Sequence, residues 1–332
     1  MTKRRLLISF VTLLLILVGF NWLVGRTARA LPHLILKQIQ GATGADYLVV
    51  GNSLVMAGMD DSAFHAALPP QARHGPILNV GCGGIYPSDS LQFYAAAQRR
   101  FPRIPCLIMG YMFTQLTDLP DSNWSDLTGN RALFYYSDFE LGLSLYHPKS
   151  WIETAQLRLT RHLPIVYERM SIWRHVDVVR SKLGSWGLSS KATTRFGKVE
   201  DFESDPYQPR SPEALAAQCR IALDEKRNLS SPVLTIIRRA RESGTKVFLV
   251  AMPMPQTRRT YFTSDGAWER YQGRIRDLLE SEGATVVNAL DWFSDDERYF
   301  VDNLHLGKDG AVAFSDRLAR IVGPAVSGSQ VP

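Results

Sequence analysis

Five short apolar runs, each closed by glycine, proline or a polar turn, constrain this chain more than any other feature. They are Tyr47–Val50, Ile77–Val80, Cys106–Met109, Lys246–Met252 and Thr285–Asn288. Short apolar runs bounded by turn residues match strands buried on both faces. Helical patterns alternate with them: Asp60–Leu68, Pro87–Arg100, Tyr271–Glu282 and Lys308–Ile321. Strands that alternate with helices predict a parallel sheet covered on both sides, an α/β fold of three layers. The rhythm stops between about residues 113 and 235, where no clear strand is legible. Leu141–Lys182 reads as helix in pieces, interrupted at Pro148 and Pro164, and Gly187–Pro212 reads as loop. Ser211–Gly244 reads as two helical pieces divided near Pro232, with Ser211 as cap, Pro212 in the first turn and Gly244 at the stop. The middle is therefore expected to be a largely helical insertion into the α/β domain. Its aromatic residues (Trp124, Trp151, Trp173, Trp186, Tyr135 and Tyr136) are expected to form its core, with a sugar-binding cleft as the alternative.

The N-terminus carries a different signal. Lys3-Arg4-Arg5 precedes Leu6–Gly25, 20 residues without a charge, in which only Ser9, Thr12 and Asn21 are polar. About 20 apolar residues cross a bilayer as a helix, and Trp22 lies where an interfacial ring is favoured. The run exceeds the h-region of a signal peptide, about 7–15 residues, which favours an uncleaved signal anchor over residues 1–30. Ala28-Arg29-Ala30 has the small-x-small form of a cleavage site and keeps the signal peptide open. Basic residues lie on both sides of the span, so the positive-inside bias is small. The expected arrangement is a single-pass protein of the cytoplasmic membrane. Its domain, 31–332, would face the periplasmic or extracellular side.

Of the 332 residues, 45% are hydrophobic and 21% charged, with a net charge of +6. The basic dyads Arg99-Arg100, Arg238-Arg239 and Arg258-Arg259 lack the interleaved aromatics of a nucleic-acid surface, so no nucleic-acid partner is expected. Cys82, Cys106 and Cys219 show neither disulfide nor metal-ligand spacing, and no metal or organic cofactor is expected.

Ligands of open α/β sheets bind beyond the carboxyl ends of the strands. There, Tyr47–Val50 runs into Gly51-Asn52-Ser53, and Ile77–Val80 into Gly81-Cys82-Gly83-Gly84. A serine hydroxyl is a weak nucleophile until a base takes its proton, and that base needs an orienting group. Of seven histidines, His33, His65, His74, His147, His162 and His175 lie near the membrane segment or in helical and surface contexts. His305 stands in Tyr299–Gly307, between the last strand and the last helix, with Asp302 three residues before it. Asp89, Asp291 and Asp295 read as caps and surface charges.

Gly51-x-Ser53, the glycine turn after the second strand, and Asp302-x-x-His305 in that order resemble the SGNH (GDSL-type) hydrolase superfamily. The resemblance covers about residues 46–110 and 246–321. It implies Ser53 as nucleophile, Asp302 and His305 as orienting acid and base, and the N–H groups of Ser53 and Gly84 as the oxyanion hole. The third block departs from the pattern: Gly110-Tyr111-Met112-Phe113 replaces Gly-x-Asn-Asp, leaving Thr114 or Gln115 to substitute for the missing asparagine. A membrane-anchored chain of this kind is similar to proteins that add or remove acyl groups on exported polymers, as in alginate acetylation and teichoic-acid D-alanylation. The expected partners are an acyl donor, a glycan or cell-envelope polymer, the membrane, and a membrane acyl-transfer protein. Two alternatives stand beside a serine esterase or O-acyltransferase: a non-catalytic partner in a polysaccharide export or modification complex, and a lipid esterase.

Overall fold

A computed structural model of the chain describes residues 3–27, 31–73, 75–83, 85–112, 115–118, 138–146, 150–167, 228–256, 259, 267–302 and 304–327. Two compact units are present: Met1–Leu36 with Asn130–Thr193, and Lys37–Gly129 with Thr194–Pro332.

The second unit holds the sheet. Its five strands are β1 (Tyr47–Gly51), β2 (Ile77–Asn79), β3 (Cys106–Tyr111), β6 (Lys246–Ala251) and β7 (Thr285–Asn288), all parallel, in the order β2-β1-β3-β6-β7. All five fall where the apolar runs place them, to within two residues at the ends. The reason is burial: β1 and β3 are covered on both faces, so both alternating side-chain sets are apolar. Tyr47, Val49, Cys106, Ile108, Phe248 and Val250 share one face, packed with Phe64 of α4 (Asp61–Ala67) and Phe314 and Leu318 of α11 (Lys308–Ser327). On the strands, Leu48, Val50, Leu107, Met109 and Leu249 are the alternating residues and are equally buried. Helix α5 (Pro87–Arg100) lies against β1 and against α9 (Ser231–Glu242), and α9 lies against β6. The helix α10 (Ala267–Ser281) starts four residues before its predicted beginning, and α11 continues past Ile321 to Ser327.

A strand pair and a short helix escaped the sequence pattern. Thr117–Asp118 (β4) pairs antiparallel with Asn228–Leu229 (β5), although no strand was expected between about 113 and 235. Two residues are too few to show a period of 2. A helix, α3 (Ser53–Gly58), begins at the serine itself. The helix α9 begins at Ser231 with Ser230 in the N-cap position but no side-chain cap bond, Pro232 lies in its first turn, and Gly244 takes the left-handed φ of +74° just after its end. The expected helical piece before it lies outside the described residues. Ser211, Pro212 and the expected loop Gly187–Pro212 lie outside the described residues.

The first unit contains α1 (Lys3–Thr27), α6 (Phe139–Tyr146), α7 (Trp151–Thr160) and α8 (Pro164–Tyr167). The helix α2 (Leu31–Gly41) covers the segment after Ala30. Within α1, Arg5–Arg26 is long and apolar enough to cross a membrane. Helices stop and restart around Pro148 and Pro164, as the sequence predicts; α8 starts at Pro164, where a missing N–H costs nothing. Trp151 is corrected: it is 79% exposed, not core. Trp124, Trp173, Trp186, Tyr135 and Tyr136 lie outside the described residues.

Candidate active site

In the order β2-β1-β3-β6-β7 the winding of successive strands across the sheet reverses between β1 and β3, and such a switch point opens a crevice at the carboxyl ends of the strands. Ser53 stands there because β1 turns sharply into α3. Asn52 makes the turn: it caps α3 and its Oδ1 accepts from Leu54 N–H at 2.9 Å. The turn also needs room. A Cβ on Gly51 would meet Val55 Cγ2 at 2.3 Å and Gly110 O at 2.4 Å; one on Gly110 would meet Val55 Cγ2 at 2.4 Å. Val55 of α3 thus sits directly over the ends of β1 and β3, and glycine at both lets the helix approach. The turn after β2 runs beside the serine, since a side chain at Gly83 would meet Ser53 Cβ at 4.0 Å. Gly84 and Thr114 lie outside the described residues.

The opposite wall comes from 252 residues later in the chain. After β7 the chain passes Phe293, whose φ of +64° is unusual for a bulky side chain, and enters a closed loop. Val301 N–H bonds to His305 O at 2.9 Å, Gly307 N–H to Tyr299 O at 2.8 Å, and Phe300 bridges Leu306. That loop presents His305 Nε2 to Ser53 Oγ at 2.9 Å and His305 Nδ1 to Asp302 Oδ2 at 2.8 Å. Asp302 Oδ1 accepts from His305 N–H at 2.6 Å and Leu304 N–H at 2.8 Å. Burial pushes the Asp302 carboxyl up. Hydrogen bonds from the His305 ring and from the N–H groups of His305 and Leu304 outweigh it and hold the carboxyl below its usual range. An ionised carboxylate only accepts, so Nδ1 carries the ring proton and Nε2 turns its lone pair to Ser53 Oγ. This arrangement can take the serine proton and stabilise the resulting imidazolium.

A second set of contacts fixes the other side of Ser53. Gln115 Oε1 accepts from Met112 N–H at 3.2 Å and from Asn52 Nδ2 at 2.8 Å. Both amides are oriented without ambiguity, because each oxygen faces a backbone N–H, that of Leu54 or of Met112. The Gln115 Nε2 group meets no acceptor among the described residues. Sequence reading singled out Gln115 only as a substitute; the clamp through Asn52 had no sequence signal, because the two residues lie 63 apart.

The remaining candidates fall elsewhere. His65 and His162 are exposed, His33 is half-buried, and Asp291 and Asp295 are exposed. Asp89 is a cap, accepting from Tyr86 N–H at 2.9 Å, but a fully buried one; burial pushes its carboxyl up to about 7, despite that bond. Cys82 and Cys106 are buried. Among the described residues, no group of three or more His, Cys, Asp or Glu converges as metal ligands would. No protein-family model matches this chain, and no curated protein matches it.

Proposed function

We propose that the chain is a serine acyl-ester hydrolase or O-acyltransferase of the SGNH type. It is tethered to a membrane by α1, and its sheet domain lies on the periplasmic or extracellular side. One observation carries the reading: Ser53 Oγ, His305 and Asp302 form a continuous hydrogen-bonded line.

The chemistry follows from that line. Ser53 Oγ attacks the acyl carbonyl while Nε2 accepts its proton. The carbonyl oxygen gains the negative charge. Ser53 N–H opens the first turn of α3, where helix N–H groups have no intrahelical acceptor, and it turns toward that oxygen. The resemblance to the SGNH family adds Gly84 N–H to the hole, and Gln115 Nε2 serves in place of the asparagine missing from the third block. Collapse of the tetrahedral adduct breaks the ester bond, and the imidazolium hands its proton to the departing alcohol. The Ser53 ester then passes its acyl group to water or to a hydroxyl: Nε2 takes the proton of that acceptor, and as the Ser53 Oγ–acyl bond breaks the imidazolium returns the proton to Ser53 Oγ. A glycan or cell-envelope polymer is the substrate class the reading implies for an anchored chain, and the membrane position leaves room for an acyl-transfer partner protein.

The test is intact-mass detection of an acyl adduct after incubation with an activated acetyl donor. An adduct of one acetyl group on the wild type, absent from Ser53→Ala and His305→Ala, is expected. An adduct of equal yield on folded Ser53→Ala would refute the mechanism. No adduct on folded wild type across several donors would favour a non-catalytic partner, and a preference for long-chain esters would favour a lipid esterase.

A further inference from the structure

Asn21 is the only amide in the apolar stretch of α1, and an amide left bare in hydrocarbon is costly. In this structure both ends of its side chain are bonded. Asn21 Nδ2 donates to His162 O at 3.2 Å, and Ile165 N–H donates to Asn21 Oδ1 at 3.1 Å. The turn between α7 and α8 is therefore latched to α1. Close approach supports the latch: a Cβ on Gly25 would lie 2.9 Å from Pro164 Cγ. Asn21, Val24 and Gly25 share one face of α1, at helical spacing.

The latch fixes a depth. Asn21 lies five residues before Arg26, which ends the span, or about 7.5 Å at 1.5 Å per residue. The Arg26 guanidinium lies 4.6 Å from the Trp22 ring centre, a pair suited to the headgroup boundary. Amphipathic helices that lie in a membrane surface bury their apolar face by about 5–10 Å, the same level.

The latched helix has the matching surface. No residue of α7 is buried. Its exposed Trp151, Ile152, Ala155 and Leu159 fall on one stripe about 100° wide at 3.6 residues per turn. Trp151 is 79%, Ile152 51% and Leu159 64% exposed; Val166 of α8 is also exposed. A helix facing water would turn this stripe inward. Here it points outward, on an element hydrogen-bonded to the span.

We propose that α7 and the turn into α8 form an interfacial clip. Their apolar stripe is seated in the headgroup–acyl boundary of a phospholipid bilayer at the Arg26 end of α1, and Asn21 holds them at that depth. The proposal rests on reading α1 as a bilayer span. The clip would fix how this unit emerges from the lipid.

The test uses the full chain in phospholipid nanodiscs with Cys219→Ser; Cys82 and Cys106 are buried. Nitroxides are placed, one at a time, on Leu14→Cys, Ile152→Cys, Leu159→Cys and Glu153→Cys, the last on the opposite side of α7. Collision with oxygen and with a water-soluble nickel complex reads depth. Oxygen-to-nickel accessibility ratios severalfold higher at 152 and 159 than at 153, with the highest at 14, are expected. A lipid-buried label at 14 with labels at 152 and 159 as wet as 153 would overturn the clip while leaving the anchor standing. A wet label at 14 would overturn the anchor reading and the clip with it. Asn21→Leu, which makes the span more apolar, is expected to keep the reading at 14 and shift 152 and 159 severalfold toward water. Unchanged depth there would overturn the role of Asn21.

Discussion

Replacing Asp302 by asparagine separates chemistry from architecture, because the carboxylate divides its bonds. Oδ1 takes the two backbone N–H groups, of His305 and Leu304, while Oδ2 takes the ring Nδ1. Asparagine with its oxygen at the Oδ1 position keeps both backbone bonds and so keeps the loop. Its NH₂ group then faces Nδ1 as a donor. The ring must answer with a lone pair at Nδ1 and a proton on Nε2, which now points at Ser53. A protonated Nε2 cannot accept the serine proton. The comparable loss in serine hydrolases is about 10⁴-fold in kcat, or about 5.4 kcal/mol. Stability should fall far less, by about 2–3 kcal/mol, as three charge-assisted bonds become neutral ones. The folded Asp302 carboxyl is held below 3.8, its ordinary value. Its stabilisation is therefore fully present above that value and is lost as the pH falls through the lower folded one. The carboxylate's share of the stability gap between wild type and Asp302→Asn should close as the pH falls below 3.8. The assay is hydrolysis of a p-nitrophenyl ester beside the rate of fluorophosphonate labelling, with denaturant unfolding of the same samples. A folded Asp302→Asn protein with activity within about tenfold of wild type would refute the reasoning.

Gln115→Glu keeps the oxygen that accepts from Asn52 and Met112 but removes the Nε2 donors. The expected loss in kcat is about 10²-fold or more at an unchanged unfolding midpoint, and wild-type kcat would remove Gln115 from the proposed oxyanion hole. Gly110→Ala places a methyl 2.4 Å from Val55 Cγ2 and 2.7 Å from Met252 Sδ. It should cost about 1–3 kcal/mol in thermal or denaturant unfolding and slow serine labelling by displacing α3. Asp89 is buried with its carboxyl pushed up to about 7, so the folded state holds a proton that the unfolded state releases near 3.8. Wild-type stability should therefore fall as the pH rises between those values. The advantage of Asp89→Asn in denaturant unfolding should grow by about 2–3 kcal/mol from pH 5 to 8; a pH-independent difference would show that Asp89 is solvated.

Much of this molecule is written locally. The apolar runs specify the parallel strands most fully at β1 and β3, which are covered on both faces and admit no polar alternation. The edge strands β2 and β7 are only partly covered. Gly51-Asn52-Ser53 and Asp302-x-x-His305 were legible because each is a short segment whose residue types fit a strand end and a closed loop. Leu6–Gly25 was legible as a helix long and apolar enough to cross a membrane, because bilayer thickness sets a length that composition reveals. What the sequence could not determine is how distant segments meet. The 2.9 Å contact between Ser53 and His305 joins residues 252 apart and exists because β1 and β7 end on one edge of the sheet. The Asn52–Gln115 clamp, the burial of Asp89 and the fit of Val55 over two glycines depend on packing across strands, which no single stretch encodes. Asn21 shows the division most clearly. In sequence it is a lone polar residue in an apolar run, and only the fold supplies the two backbone groups, 141 and 144 residues away, that satisfy it.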